Sequence, residues 1–178
     1  STNFYFVCNG EIYNHQFLWD WHSKSQQVAE ISETELKNTA CDCYSLFKCL
    51  LHFIKPRYEQ YPGDTGVDWL VDLERINKFL SLVDGEFAFV LGSVPMLNQS
   101  YTVTTSKGEI NSRQFVICGR DRFGIKPLYY LSLYDQLMSI ISQPYNVYDK
   151  MSPEFKFSKL HAFPPGTVTH IGTSYDAF

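Results

Sequence analysis

Asn9-Gly10-Glu11-Ile12-Tyr13-Asn14-His15 lies between an aromatic, β-branched run and an amphipathic one. Upstream, Phe4-Tyr5-Phe6-Val7 has the composition of a strand. Downstream, Asn14 is placed to cap a helix over 14–24, whose Phe17, Leu18 and Trp21 share one face. The heptapeptide therefore reads as a strand end turning into a helix start. An Asn amide beside a Gly that admits close backbone approach is the kind of donor pair an oxyanion hole needs. The same residues also make an ordinary Asn-Gly bend.

Working outward, Leu46, Phe47, Leu50, Leu51 and Ile54 recur at helical spacing over 43–54, with Asp42 placed as cap and Pro56 as stop. The stretch 61–66 reads as loop. Trp69, Leu70, Leu73, Ile76 and Leu80 predict a further helix over 69–82. From Glu86 the pattern changes to strands at 86–93, 100–105, 114–119, 128–133, 136–141 and 166–171. Lys107-Gly108 and Tyr134-Asp135 are hairpin signals. Residues 144–160 read as irregular. Helices early and antiparallel strands late make the class α+β, in one domain spanning 1–178.

Composition limits the function. The 178 residues carry 15 Lys and Arg against 19 Asp and Glu, a net charge of −4. Such a chain has no field suited to holding a polyanion, so neither nucleic acid nor a membrane is the expected partner. No apolar run is long enough to span a bilayer, and the first residues lack a signal-peptide pattern. A cytoplasmic protein is expected. Five cysteines at low density argue for reduced thiols rather than a disulfide framework. Cys41-Asp42-Cys43 has one residue between the thiols instead of the two to four of zinc pairs, so no metal is expected.

The heptapeptide has company in the same order along the chain. Asp42-Cys43 precedes a helix. Gly85-Glu86-Phe87-Ala88-Phe89 is a strand. Gly119-Arg120-Asp121-Arg122-Phe123-Gly124-Ile125-Lys126-Pro127-Leu128-Tyr129-Tyr130 forms a block, and Phe163-Pro164-Pro165-Gly166 a turn. Together these resemble the class II glutamine amidotransferase domain, the glutaminase part of asparagine synthetases. The resemblance implies an amino-terminal-nucleophile-hydrolase-like fold, a four-layer αββα sandwich of two antiparallel sheets. It also implies a chemistry in which a terminal Cys thiol attacks the side-chain amide of glutamine with its own α-amine as base. Ammonia leaves, and water clears the thioester. By the same resemblance, Asn9 and Gly10 form the oxyanion hole, while Glu11 and Asp42 receive the glutamine α-ammonium. ATP and Mg²⁺ are implied only for a synthetase partner domain or subunit. This chain has no cofactor of its own in that scheme, and no G-x-x-x-x-G-K-[ST] phosphate loop.

The departures from that family are as informative. Its Cys-Gly-Ile start, first strands and carboxylate-clamping Arg have no counterpart ahead of Asn9. A missing amino-terminal segment is expected, with Phe4 to Val7 bordering the gap. Ser1 is no substitute, because eight extended residues put it about 26 Å from Asn9. Cys8 points to the opposite strand face from Asn9 and reads as a core thiol. Arg120 and Asp121 read as structural. Gln143 stands where the family has an acid. The connections 23–40, 55–68 and 94–113 look long. The expected function is a glutaminase-type domain of an asparagine-synthetase-like protein, inactive as an isolated chain. The alternative is a non-catalytic interaction or scaffold subunit, with room for an oligomer.

Overall fold

The structure, a computed structural model, describes residues 4–26, 41–57, 67–93, 99–105, 108–112, 114–133, 136–143 and 159–171. Ser1, residues 27–40 of the long connection 23–40, the 61–66 loop, Tyr134-Asp135 and most of 144–160 lie outside them.

Strand β1 (Phe4–Ile12) alternates strictly. Phe4, Phe6, Cys8 and Ile12 face the core, while Tyr5, Val7, Asn9 and Glu11 are exposed. Helix α1 (His15–Gln26) follows and buries Leu18 and Trp19. Asn14 is not simply its cap. Its amide donates to the Leu82 carbonyl at 2.9 Å and its oxygen accepts from the Asp84 N–H at 2.9 Å. The side chain thus ties the motif to a turn 68 to 70 residues away.

Helix α2 (Asp42–Leu50) buries Leu46, Cys49 and Leu50 and runs into a 3₁₀ turn, Leu51–Phe53. The helix expected to reach 54 stops earlier. The chain turns extended at Ile54 and forms β2 (Ile54–Arg57), with Pro56 inside an edge strand where a missing N–H is tolerated. The predicted 69–82 helix is also corrected. Trp69, Leu70 and Val71 belong to β3 (Val67–Asp72), and α3 covers Leu73–Leu80. Asp72 accounts for the boundary, since its carboxylate accepts from the Arg75 N–H at 3.0 Å and caps the helix there.

The remaining strands are β4 (Gly85–Ser93), β5 (Gln99–Thr105), β6 (Gly108–Ser112), β7 (Val116–Arg120), β8 (Tyr129–Leu133), β9 (Gln136–Ile141), β10 (Lys159–Ala162) and β11 (Val168–His170). They form three sheets, ordered β1-β4-β7-β11, β10-β8-β9 and β2-β3-β5-β6. The first two are antiparallel throughout. The third is mixed, because β3 and β5 run parallel. A parallel pair needs a long crossover, and α3 with β4 supplies it. This sheet was expected only in part: β5 matches the strand read at 100–105, whereas β2 falls largely in the connection 55–68, β3 largely in the predicted 69–82 helix and β6 in the connection 94–113, and β10 overlaps the end of the stretch read as irregular.

Strand β4 separates two cores. Phe87, Phe89 and Leu91 enter the larger one with residues of α1, α2, α3 and the third sheet. Ala88 and Val90 enter the other, with Val116, Cys118, Leu128, Tyr130, Ile140 and Phe163. The first sheet therefore carries helices on one face and the second sheet on the other, an α+β layering. All three described helices contribute to the larger core.

Candidate functional site

Strand β1 is the outer strand of the first sheet, and its exposed residues share a face with their β4 partners. Val7 stands opposite Val90, Asn9 opposite Ala88, and Glu11 opposite Glu86. Val90 and Ala88 belong to the core between the two antiparallel sheets. Asn9 and Glu11 thus point to the side of the first sheet where the second sheet packs, at the outer β1 margin of the described sheet. Ala88 leaves room beside the Asn9 amide. Val7 is 64% exposed and Tyr5 39%, an apolar approach to the polar end of the strand.

Gly10 has a structural reason to be glycine. Its φ is +149°, and an added Cβ would lie 1.9 Å from the Glu86 carbonyl oxygen and 2.6 Å from the Phe87 Cα. The β4 backbone occupies the space any side chain would need.

Asp42 is brought to this strand across 30 residues of chain. Its carboxylate accepts a hydrogen bond from the Ile12 N–H at 2.5 Å. Asp42 is the first residue of α2, Cys41 is the N-cap, and neither side chain caps the helix. The carboxylate is turned to the motif strand instead. Next to it, the Cys43 thiol donates to the Gly10 carbonyl at 3.5 Å. Asp42 and Cys43 together meet the outer edge of β1 at Gly10 to Ile12.

Two residues escaped the sequence reading. Glu86 lies directly across from Glu11, and like charges in that position repel. Lys126 relieves this partly, with its Nζ 3.9 Å from the Glu86 carboxylate. The clue was the G-x-F-A-F strand, whose antiparallel pairing with the motif puts its second residue beside Glu11. Cys43 is the other, and its position in the first turn of a helix next to Asp42 was the available signal.

Arg120 and Asp121 are structural. Arg120 donates to the carbonyls of Lys126 at 2.9 Å, Phe163 at 2.6 Å and Gly124 at 2.5 Å. The fully buried Asp121 carboxylate accepts from the N–H groups of Phe123, Ile125 and Lys126 at 3.0 to 3.1 Å. These bonds weld the 119–130 block to the 163–166 turn, where the Gly166 N–H also donates to the Asp121 carbonyl at 2.9 Å.

A cavity of about 690 Å³ opens elsewhere, among Tyr130, Ser132, His161, Phe163 and His170. It shares no residue with the motif. The donor–carboxylate arrangement lies apart from it, on β1. Among the described residues, no group of three His, Cys, Asp or Glu side chains is placed to hold a metal ion, and no helix is long and apolar enough to cross a membrane. No protein-family model matches the chain, and no curated protein matches it.

Proposed function

We propose that the chain is a glutaminase-type domain of an asparagine-synthetase-like protein, built on the amino-terminal-nucleophile-hydrolase sandwich. In this reading Asn9 and Gly10 hold the oxyanion formed at the glutamine side-chain amide. Glu11 and Asp42 receive the substrate α-ammonium, a cation–carboxylate pairing strengthened by a partly dry setting. The thiol nucleophile comes from a Cys-initiated segment packed along the open β1 edge. ATP and Mg²⁺ serve a synthetase partner that consumes the ammonia.

The observation that carries this reading is the Asp42 carboxylate on the Ile12 N–H, which brings a second acid to the end of the strand bearing Asn9, Gly10 and Glu11. Glutamine added to the isotopically labelled chain is expected to shift the Asn9 side-chain amide and the Gly10 N–H in NMR spectra, and Asp42→Asn to weaken that response. Spectra unmoved by saturating glutamine would contradict the reading. They would favour a non-catalytic docking subunit, which the exposed Tyr5 and Val7 on the outer strand of the described sheet also suit.

A further inference from the structure

We propose that Cys8 and Cys43 are a redox pair, forming a reversible disulfide that staples the start of α2 to β1 beside Gly10. The argument starts from register. Cys8 lies on the inward face of β1 with Phe6 and Gly10, and α2 lies over that face. Phe6 stacks on Phe47 with ring centroids 5.1 Å apart. One helical turn back from Phe47 is Cys43, about 6 Å along the helix axis. Two residues on from Phe6 is Cys8, about 7 Å along the strand. The two advances match, so the helix that stacks Phe47 on Phe6 sets Cys43 over Cys8. The Cys43 thiol's contact with the Gly10 carbonyl at 3.5 Å fixes its other side.

The pair is polarised as an exchange reaction requires. Cys43 is drawn below the ordinary thiol range, first by its hydrogen bond with Cys8. Cys8 is pushed up by the same bond and by burial. Cys43 is thus the thiol that ionises and attacks, giving up the proton it donates to the Gly10 carbonyl, while Cys8 stays protonated. Both are half-buried, and exposed Cys41 marks the solvent side. Cys49 and Cys118 differ: each is fully buried and pushed up to about 12 by burial.

The oxidant is a low-molecular-weight disulfide such as oxidised glutathione. The Cys43 thiolate attacks one of its sulfurs, breaking that S–S bond and releasing one glutathione thiolate. The Cys8 thiol then loses its proton to solvent and attacks the Cys43 sulfur, releasing the second glutathione thiolate. Two protein thiols are oxidised and one glutathione disulfide is reduced to two thiols. The Cys43 sulfur leaves the Gly10 carbonyl in the process, so oxidation alters the strand end that carries Asn9 and Gly10.

The test treats the reduced 178-residue chain with oxidised glutathione, counts free thiols and maps the peptides. Two of the five thiols should disappear, with the Cys8 peptide linked to the peptide holding Cys41 and Cys43. Cys41→Ser should keep the link. Cys8→Ala should stop at a glutathione adduct on Cys43. Thermal unfolding of the oxidised chain should rise by roughly 5–10 °C, reversed by a reducing agent. Loss of the link in Cys41→Ser, a bridge between Cys41 and Cys43, or five thiols surviving would each overturn the proposal. Peptide mapping of the unaltered chain decides even where a variant does not fold, and it needs no glutaminase activity.

Discussion

The Asp42 carboxylate meets the Ile12 N–H at 2.5 Å, closing a loop of 30 residues between the start of α2 and the end of β1. A charge-assisted hydrogen bond to a backbone donor on an outer strand holds helix and strand in register. It also brings a carboxylate to the strand end that carries Glu11. On the proposed function the same side chain receives substrate, so its substitutions should show both effects.

Asp42→Ala should destabilise the chain by about 1.5–3 kcal/mol in urea unfolding, as expected for a lost hydrogen bond to a charged group. Asp42→Asn keeps an acceptor and should lose less. Equal stability of Asp42→Ala and the parent would show that the bond contributes nothing.

Gly10→Ala should cost upwards of about 2 kcal/mol, because a Cβ there meets the β4 backbone and the φ of +149° is strained for any L side chain. A loss of activity in this variant would therefore say little about the oxyanion. Exposed Asn9 is the cleaner probe, and Asn9→Ala should stay within about 0.5 kcal/mol of the parent. Calorimetry on both variants checks the contrast.

Removing the Asp121 carboxylate leaves three backbone N–H groups without their acceptor. Asp121→Ala should cost roughly 3 kcal/mol. Hydrogen exchange should quicken at Phe123, Ile125 and Lys126 while β1 stays protected. Unchanged exchange at those three amides would contradict the structural role given to this residue.

The sequence announced most of the first two sheets and little of the third. Strands such as 85–93 and 136–141 alternate or run apolar long enough to be read locally. The 67–72 run was misread because Trp69 and Leu70 also fit a helical stripe with Leu73 and Ile76; only pairing with β2 and β5 decides between the two. Strand β10 is four residues long and depends on β8 for its existence. At the candidate site, Asn9, Gly10 and Glu11 stand in one motif. The arrival of Asp42 and Glu86 depends on helix packing and strand register, which spacing in the chain does not encode.

Acid should weaken the fold. The His22 and His52 rings meet with nitrogens 2.6 Å apart. Burial, then the neighbouring His22, Lys55 and Lys48, hold His52 down to about 4, against about 6.5 in an unfolded chain. The unfolded state thus takes up the proton first. The contribution of neutral His52 is complete above pH 6.5 and is lost as pH falls toward 4. Unfolding midpoints should drop over that window, and His52→Gln should flatten the drop. Some slope should remain, because burial also lowers His170. A variant with the parent's full pH dependence would exclude His52 as a source.

Glutamate release from glutamine tests the proposed activity most directly, with the 178-residue chain alone and with an added segment beginning Cys-Gly-Ile. The thiol nucleophile and its α-amine are both required for a thioester, so the chain alone should release no glutamate. Addition of the segment should bring turnover, and Asn9→Ala should then lower the rate by about 10²–10³-fold through loss of an oxyanion donor. Turnover by the chain alone that disappears in Cys8→Ser would make Cys8 a nucleophile and contradict the assignment. Turnover surviving that change would place the chemistry at another site, and silence with the segment present would leave a binding subunit in place of an enzyme.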